Sequence, residues 1–208
     1  MRRLSNVIQY NPRMPRVIDY AEVLESLNRA GLVSLYHNSG AFGFAEEAPT
    51  QSVGWIVRDD STIRPAARAI CRLVLPPTER TLATLAGAIW ADRLASESVW
   101  VMPMSHWAYE LDFGSYQWLP TVLSEAGIDP VQLIGRHDGA AIEFLMAERP
   151  EFEKMIEHLL MHLAQSDFMF VFPGGATVCT VHHHKQLWWT TTDTAISDRL
   201  RQLPDGPP

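Results

Sequence analysis

Three consecutive histidines, His182, His183 and His184, are the residues of this chain best suited to chemistry, and Trp188 and Trp189 follow closely. In a β-strand alternate residues share a face, so His182 and His184 project together, about 7 Å apart along the backbone. Such a His-x-His pair can chelate one metal ion, because neutral imidazole is the commonest protein metal ligand. A third ligand must then come from another strand. The stretch after Pro103 offers suitable types, with His106, Glu110 and Asp112 alternating with Trp107, Tyr109, Leu111 and Phe113. Read as a strand, it turns the apolar set to the core and puts an imidazole and two carboxylates on the other face. Three ligands and a water give a metal-bound hydroxide for hydrolysis. On that reading His182, His184 and His106 hold zinc or another divalent metal, and Glu110 and Asp112 are the catalytic carboxylates.

The same residues also support a reading without catalysis, which is the leading expectation. Trp188 shares the parity of His182 and His184, and an aromatic beside imidazoles suits a small-ligand site or a protein-binding hot spot. His106, His182, His184 and Trp188 are then the binding residues of a small intracellular accessory protein that uses a Trp/His-rich sheet face. Its partner is a protein or a small molecule, and no cofactor is certain. The metal-dependent hydrolase is the alternative. Where the chain turns at His184-Lys185, the alternation ends, and the histidine run alone is an ordinary polar strand end.

Other candidates are weaker. His158 and His162 lie four apart on a helical pattern but lack the Glu of H-E-x-x-H, and they flank a core stripe beside Met155, which is a structural position. Ser39 is not in a G-x-S-x-G elbow. Ser105 and His106, as neighbours in a strand, face opposite ways, and Cys179 points away from His182 and His184. Gly40 and Gly43 lack the Lys-Ser/Thr ending of a phosphate loop.

Composition narrows the classes. The chain has 208 residues, 47% of them hydrophobic and 20% charged, which is globular rather than disordered. Its net charge of -7 disfavours nucleic-acid binding, and Arg2, Arg3, Arg13 and Arg16 read as a solvated arm. Two distant cysteines, Cys71 and Cys179, read as buried free thiols. The start turns polar at once and no run is long enough to span a bilayer, so the expected location is the cytoplasm, with no membrane partner.

The elements that must position these residues follow from periodicity and punctuation. Residues 168–192, FMFVFPGGATVCTVHHHKQLWWTTT, read as three strands in a C-terminal meander, with a tight turn at Pro173-Gly174-Gly175. Asp19 and Glu22 form a capping box ahead of Tyr20, Val23, Leu24 and Leu27, and Gly31 stops that helix. Strands follow at 32–36 and 53–58, with a loop between them. Pro65 opens a short helix. Thr78 caps a longer one carrying Leu82, Leu85, Ala86, Ile89 and Trp90. A strand starts at Val99. Residues 115–126 form a helix stopped by Gly127, its start delayed by Pro120. Asp129-Pro130 starts one short turn, His137-Asp138-Gly139 is a turn, and 140–145 is a strand. Pro150 opens a helix with Phe152, Met155, Ile156, Leu159 and Leu163 inward. Asp193 caps a closing helix with Ile196, Leu200 and Leu203. The expected class is α+β, a mixed, largely antiparallel sheet packed by about five or six helices. Residues 1–17 form an irregular arm, 18–203 a single α+β domain and 204–208 a frayed tail.

Overall fold

Apolar runs between residues 98 and 191 form the five inner strands of one large sheet. The computed structural model describes residues 15–30, 32–38, 41–45, 54–59, 62–65, 71–73, 78–93, 97–136, 139–175, 177–191 and 194–202. Seven strands make an antiparallel sheet: β1 (Arg16–Ile18), β6 (Cys71–Leu73), β7 (Ser98–Pro103), β8 (Ala141–Leu145), β9 (Phe168–Val171), β10 (Thr177–His182) and β11 (Gln186–Thr191). Their order is β1-β8-β7-β9-β10-β11-β6. A second sheet contains β2 (Leu32–Asn38), β3 (Ala41–Ala45), β4 (Gly54–Asp59) and β5 (Thr62–Pro65), in the order β3-β2-β4-β5. The helices are α1 (Tyr20–Arg29), α2 (Glu79–Arg93), α3 (Trp107–Tyr109), α4 (Leu119–Glu125), α5 (Arg149–His162) and α6 (Thr194–Arg201). The fold is α+β, and its C-terminal strands β9, β10 and β11 form the expected meander.

Strand alternation divides the large sheet into two apolar faces. Val101, Ile142, Phe170, Cys179, Val181 and Trp189 lie on one face with the buried stripe of α5, which is Phe152, Met155, Ile156 and Leu159. Aromatic edges lock this layer: Phe170 meets Phe152 and Trp189 with ring centroids 5.3 Å apart in each pair. Such pairs add about 0.5–1.5 kcal/mol beyond area burial. The opposite face carries Trp100, Met102, Met169, Val171 and Val178, covered by Tyr20, Val23 and Leu27 of α1. Strand β4 of the smaller sheet lies against β10 and β11.

Helix boundaries mostly follow the expected punctuation. Thr78 Oγ1 accepts from the Thr81 N–H at 3.3 Å at the start of α2. Pro120 sits in the first turn of α4, which therefore begins later than Ser115, and Gly127 follows the helix with φ +82°. The Asp129 carboxylate accepts from the Val131 N–H at 3.0 Å. The capping box of α1 is not formed. Asp19 occupies the cap position, but its carboxylate pairs with Arg136, and Glu22 pairs with Arg16. Asp19 is diverted to Arg136, 117 residues away, and Glu22 to Arg16, six residues away.

Four other expectations are corrected. Arg16–Ile18, at the end of the supposed arm, is a strand paired with β8. Its Arg16 guanidinium binds the buried Glu143 carboxylate, which also accepts from Trp100 Nε1 at 3.0 Å. Ala41–Ala45, expected as loop, pairs with β2, because main-chain pairing needs no apolar period. Pro65 ends a strand rather than opening a helix. Most consequential, residues 107–114 are helical, with α3 running into a π-helical turn at Glu110–Gly114. The predicted helix beyond Pro65 at 66–70, the His137-Asp138 turn, the Asp193 cap, Ser39, Gly40 and the tail at 204–208 lie outside the described residues.

Candidate functional site

The end of the meander is where the sequence placed chemistry. Strand β10 pairs Val181 with Phe168 of β9 and His182 with Gln186 of β11. Asp167, one residue before β9, therefore stands opposite His182. Between His182 and Gln186 the chain turns in three residues, with the Lys185 N–H donating to the His182 carbonyl at 3.0 Å. Lys185 has φ +61°, the left-handed conformation that closes a three-residue hairpin of this type. The side chain of Lys185 reaches Glu79 at 2.8 Å, beside the start of α2.

This turn gathers the three imidazoles. Ring centroids are 4.2 Å apart for His182 and His183, 4.3 Å for His183 and His184, and 4.8 Å for His182 and His184. His182 is buried, His183 half-buried and His184 exposed. Trp188 stacks on His182 at 4.1 Å with planes 11° apart, and its Nε1 donates to Gln186 Oε1 at 2.8 Å. The expected kinship of His182 and Trp188 is thus a direct contact. His184 belongs to the turn rather than the strand, so the rings converge through chain reversal and not through strand alternation.

Two members of the cluster escape the strand reading. His183, assigned to the opposite face, folds back beside its neighbours. Asp167 supplies the carboxylate. Its Oδ1 accepts from the His183 N–H at 2.9 Å and lies 2.8 Å from His183 Nδ1. An ionised carboxylate only accepts, so His183 Nδ1 carries the proton of this bond. His182 Nδ1 accepts from the His184 N–H at 3.1 Å, which leaves the proton of the neutral ring on Nε2, 3.8 Å from Asp167 Oδ2. The signal for Asp167 was in the sequence. Counting both strands outward from Pro173-Gly174-Gly175 sets it opposite His182.

The other predicted residues serve a different purpose. Strand β9 lies between β7 and β10, so the segment carrying His106 does not adjoin the histidine strand. His106 precedes α3, and its carbonyl accepts from the Glu110 N–H at 2.9 Å. Glu110 is fully buried and its two oxygens accept from Ser105 Oγ at 2.5 Å and Ser115 Oγ at 2.7 Å. Asp112 is exposed on the same turn. Residues two apart on a helix point to nearly opposite sides, so Glu110 and Asp112 share no face. Positions 107 and 111 suit both periods, which made the segment ambiguous. Tyr109 and the 71% exposed Phe113 decide it, since a strand would have buried both with Trp107.

His158 and His162 stack at 5.8 Å, and His162 also lies on Trp118 at 5.4 Å. Burial, then the nearby His162 and Lys154, holds the His158 imidazole below its ordinary pKa. Cys179 is buried on the sheet face opposite His182. Among the described residues, the one group of three or more metal-ligating side chains within reach of a common ion is His182, His183 and His184. No described helix is long and apolar enough to cross a membrane. No family model matches the chain, and no curated protein or solved structure gives a significant match.

Proposed function

We propose that this protein is a non-catalytic binding protein whose recognition site is the end of the β9–β10–β11 meander. The observation that carries the reading is the stack of Trp188 on His182 at 4.1 Å, with His183 and His184 beside it. A half-buried indole supplies flat apolar area, and the imidazoles and Asp167 supply donors and acceptors around it. That combination suits a small ligand or a short protein segment, and the net charge of -7 weighs against nucleic acid. Two cysteines in the chain are in keeping with a reducing compartment, and the cytoplasm is the location proposed. The hydrolytic alternative asks for an uncommitted carboxylate base beside the imidazoles, and Asp167 there is held by the His183 N–H and ring. Glu110 is engaged by two serines and Asp112 lies on another turn, so that reading has less support.

Nitrogen-15 spectra of the labelled, tag-free protein titrated with neutral and cationic aromatic fragments test this. The expected result is saturable shifts at the Trp188 indole and the His182–His184 resonances, with the histidine shifts lost in Trp188→Ala. Ester or phosphoester turnover that depends on His182 and His184, or fragment shifts confined to another surface, contradicts it.

A further inference from the structure

We infer that the end of the meander is a site for one borderline-soft divalent ion, of which Zn2+ is the type, bound by the His182, His183 and His184 imidazoles with Asp167 behind them. This rests on the binding reading above and names the class of ligand. One nitrogen from each imidazole can be chosen so that all lie within 4.8 Å of one another. Ligands of a tetrahedral zinc with bonds of ~2.0 Å stand roughly 3.3 Å apart, so small side-chain rotations close the set. The tight turn at Lys185 fixes the backbone on which those rotations occur.

Charge decides between cation and anion. Among the described residues, the carboxylate at the base of the cluster is Asp167, and it would repel an anion. The one cation of the turn, Lys185, is paired with Glu79. Donor chemistry decides among cations, because imidazole nitrogens suit zinc, nickel and copper, whereas calcium and magnesium take oxygen. Asp167 also sets the tautomer. With the His183 Nδ1 proton held by Oδ1, His183 Nε2 keeps its lone pair for the ion. A carboxylate behind a ligating histidine is the usual support of such sites. For His182 the protonated nitrogen is Nε2, toward Asp167, so Nδ1 is the ligand atom, and the ion replaces the His184 N–H now bound there. Three protein ligands leave a fourth position open beside Trp188, where a group from a bound partner can complete the shell.

The test is a zinc titration of the tag-free full chain against a chromophoric chelator, with folding checked by circular dichroism. The expected result is one zinc per chain, no competition from calcium, and at least tenfold weaker binding in His184→Ala, whose side chain is exposed. Asp167→Asn is expected to weaken zinc by about 10–100-fold. Absence of stoichiometric zinc, or zinc binding unchanged in both His184→Ala and His183→Ala, overturns the inference. Fragment shifts at Trp188 that persist without zinc uptake leave the binding reading standing and remove this one alone. Loss of both removes both.

Discussion

In the turn at residues 105–115, the carboxylate of Glu110 is sealed from solvent and each oxygen accepts from a serine hydroxyl. In the turn after β10, the carboxylate of Asp167 is half-buried and shared between a backbone N–H and an imidazole, with two further imidazoles alongside. Both turns hold the residue types of an acid–base site. The first spends its polar groups on closing a π-helical turn beneath Trp107, whose Nε1 donates to the Ala140 carbonyl at 2.8 Å. The second leaves imidazole nitrogens at an exposed hairpin end. What distinguishes them is whether the polar atoms are consumed inside the fold, and residue type alone does not report that.

Mutations should separate the two turns by the size of their effect. The largest belongs to Glu110→Ala, which strands two hydroxyls, one of them on the buried Ser115, and is expected to cost about 2–4 kcal/mol in urea unfolding. Glu110→Gln, which retains an acceptor, is expected to lose less than half of that. A loss for Glu110→Ala within the range of a neutral surface change would mean that this carboxylate is not structural.

Asp167→Asn comes next. The retained carbonyl oxygen still accepts from the His183 N–H while the imidazole bond weakens, so about 1 kcal/mol is expected. A larger loss, equal to that of Glu110→Ala, would erase the distinction between the turns.

Glu143 supplies a third carboxylate for calibration. Burial pushes its pKa up, but hydrogen bonds from Arg16, Trp100 and Ser98 outweigh that and hold it below its ordinary value. A carboxylate held low in the folded state stabilises the fold above the unfolded pKa, near 4.3, and that contribution is lost as pH falls through the folded value. Arg16→Ala is therefore expected to destabilise at neutral pH by about 1 kcal/mol, discounted for the exposed guanidinium, and to narrow the gap from wild type below about pH 4. A gap that stays constant on acidification would show that Arg16 acts through packing instead.

Much of this was legible in the sequence, and the failures share a cause. The stripe at Phe152, Met155, Ile156 and Leu159 and the strands around Phe170 and Val181 repeat over enough residues for one period to win. Residues 106–113 do not, because apolar side chains at 107 and 111 satisfy both a strand and a helix, and only exposure at 109 and 113 breaks the tie. The caps at Thr78 and Asp129 are local bonds and could be read locally. The diversion of Asp19 to Arg136, 117 residues away, could not. For the site, His182 and Trp188 were visible through strand parity. His183 was not, because parity fails inside a turn, and Asp167 became visible only through hairpin register.

The smallest expected effect tests the account most directly. The His183→Ala/His184→Ala double variant and wild type are compared by urea unfolding midpoint, with and without zinc. Without zinc the two should differ by no more than about 1 kcal/mol, the loss of the His183–Asp167 bond. With zinc at 100 times its Kd, wild type alone should gain about 2.7 kcal/mol. A double variant that unfolds several kcal/mol earlier without zinc, together with a wild type that zinc does not stabilise, would make the histidine turn another structural turn like the one around Glu110.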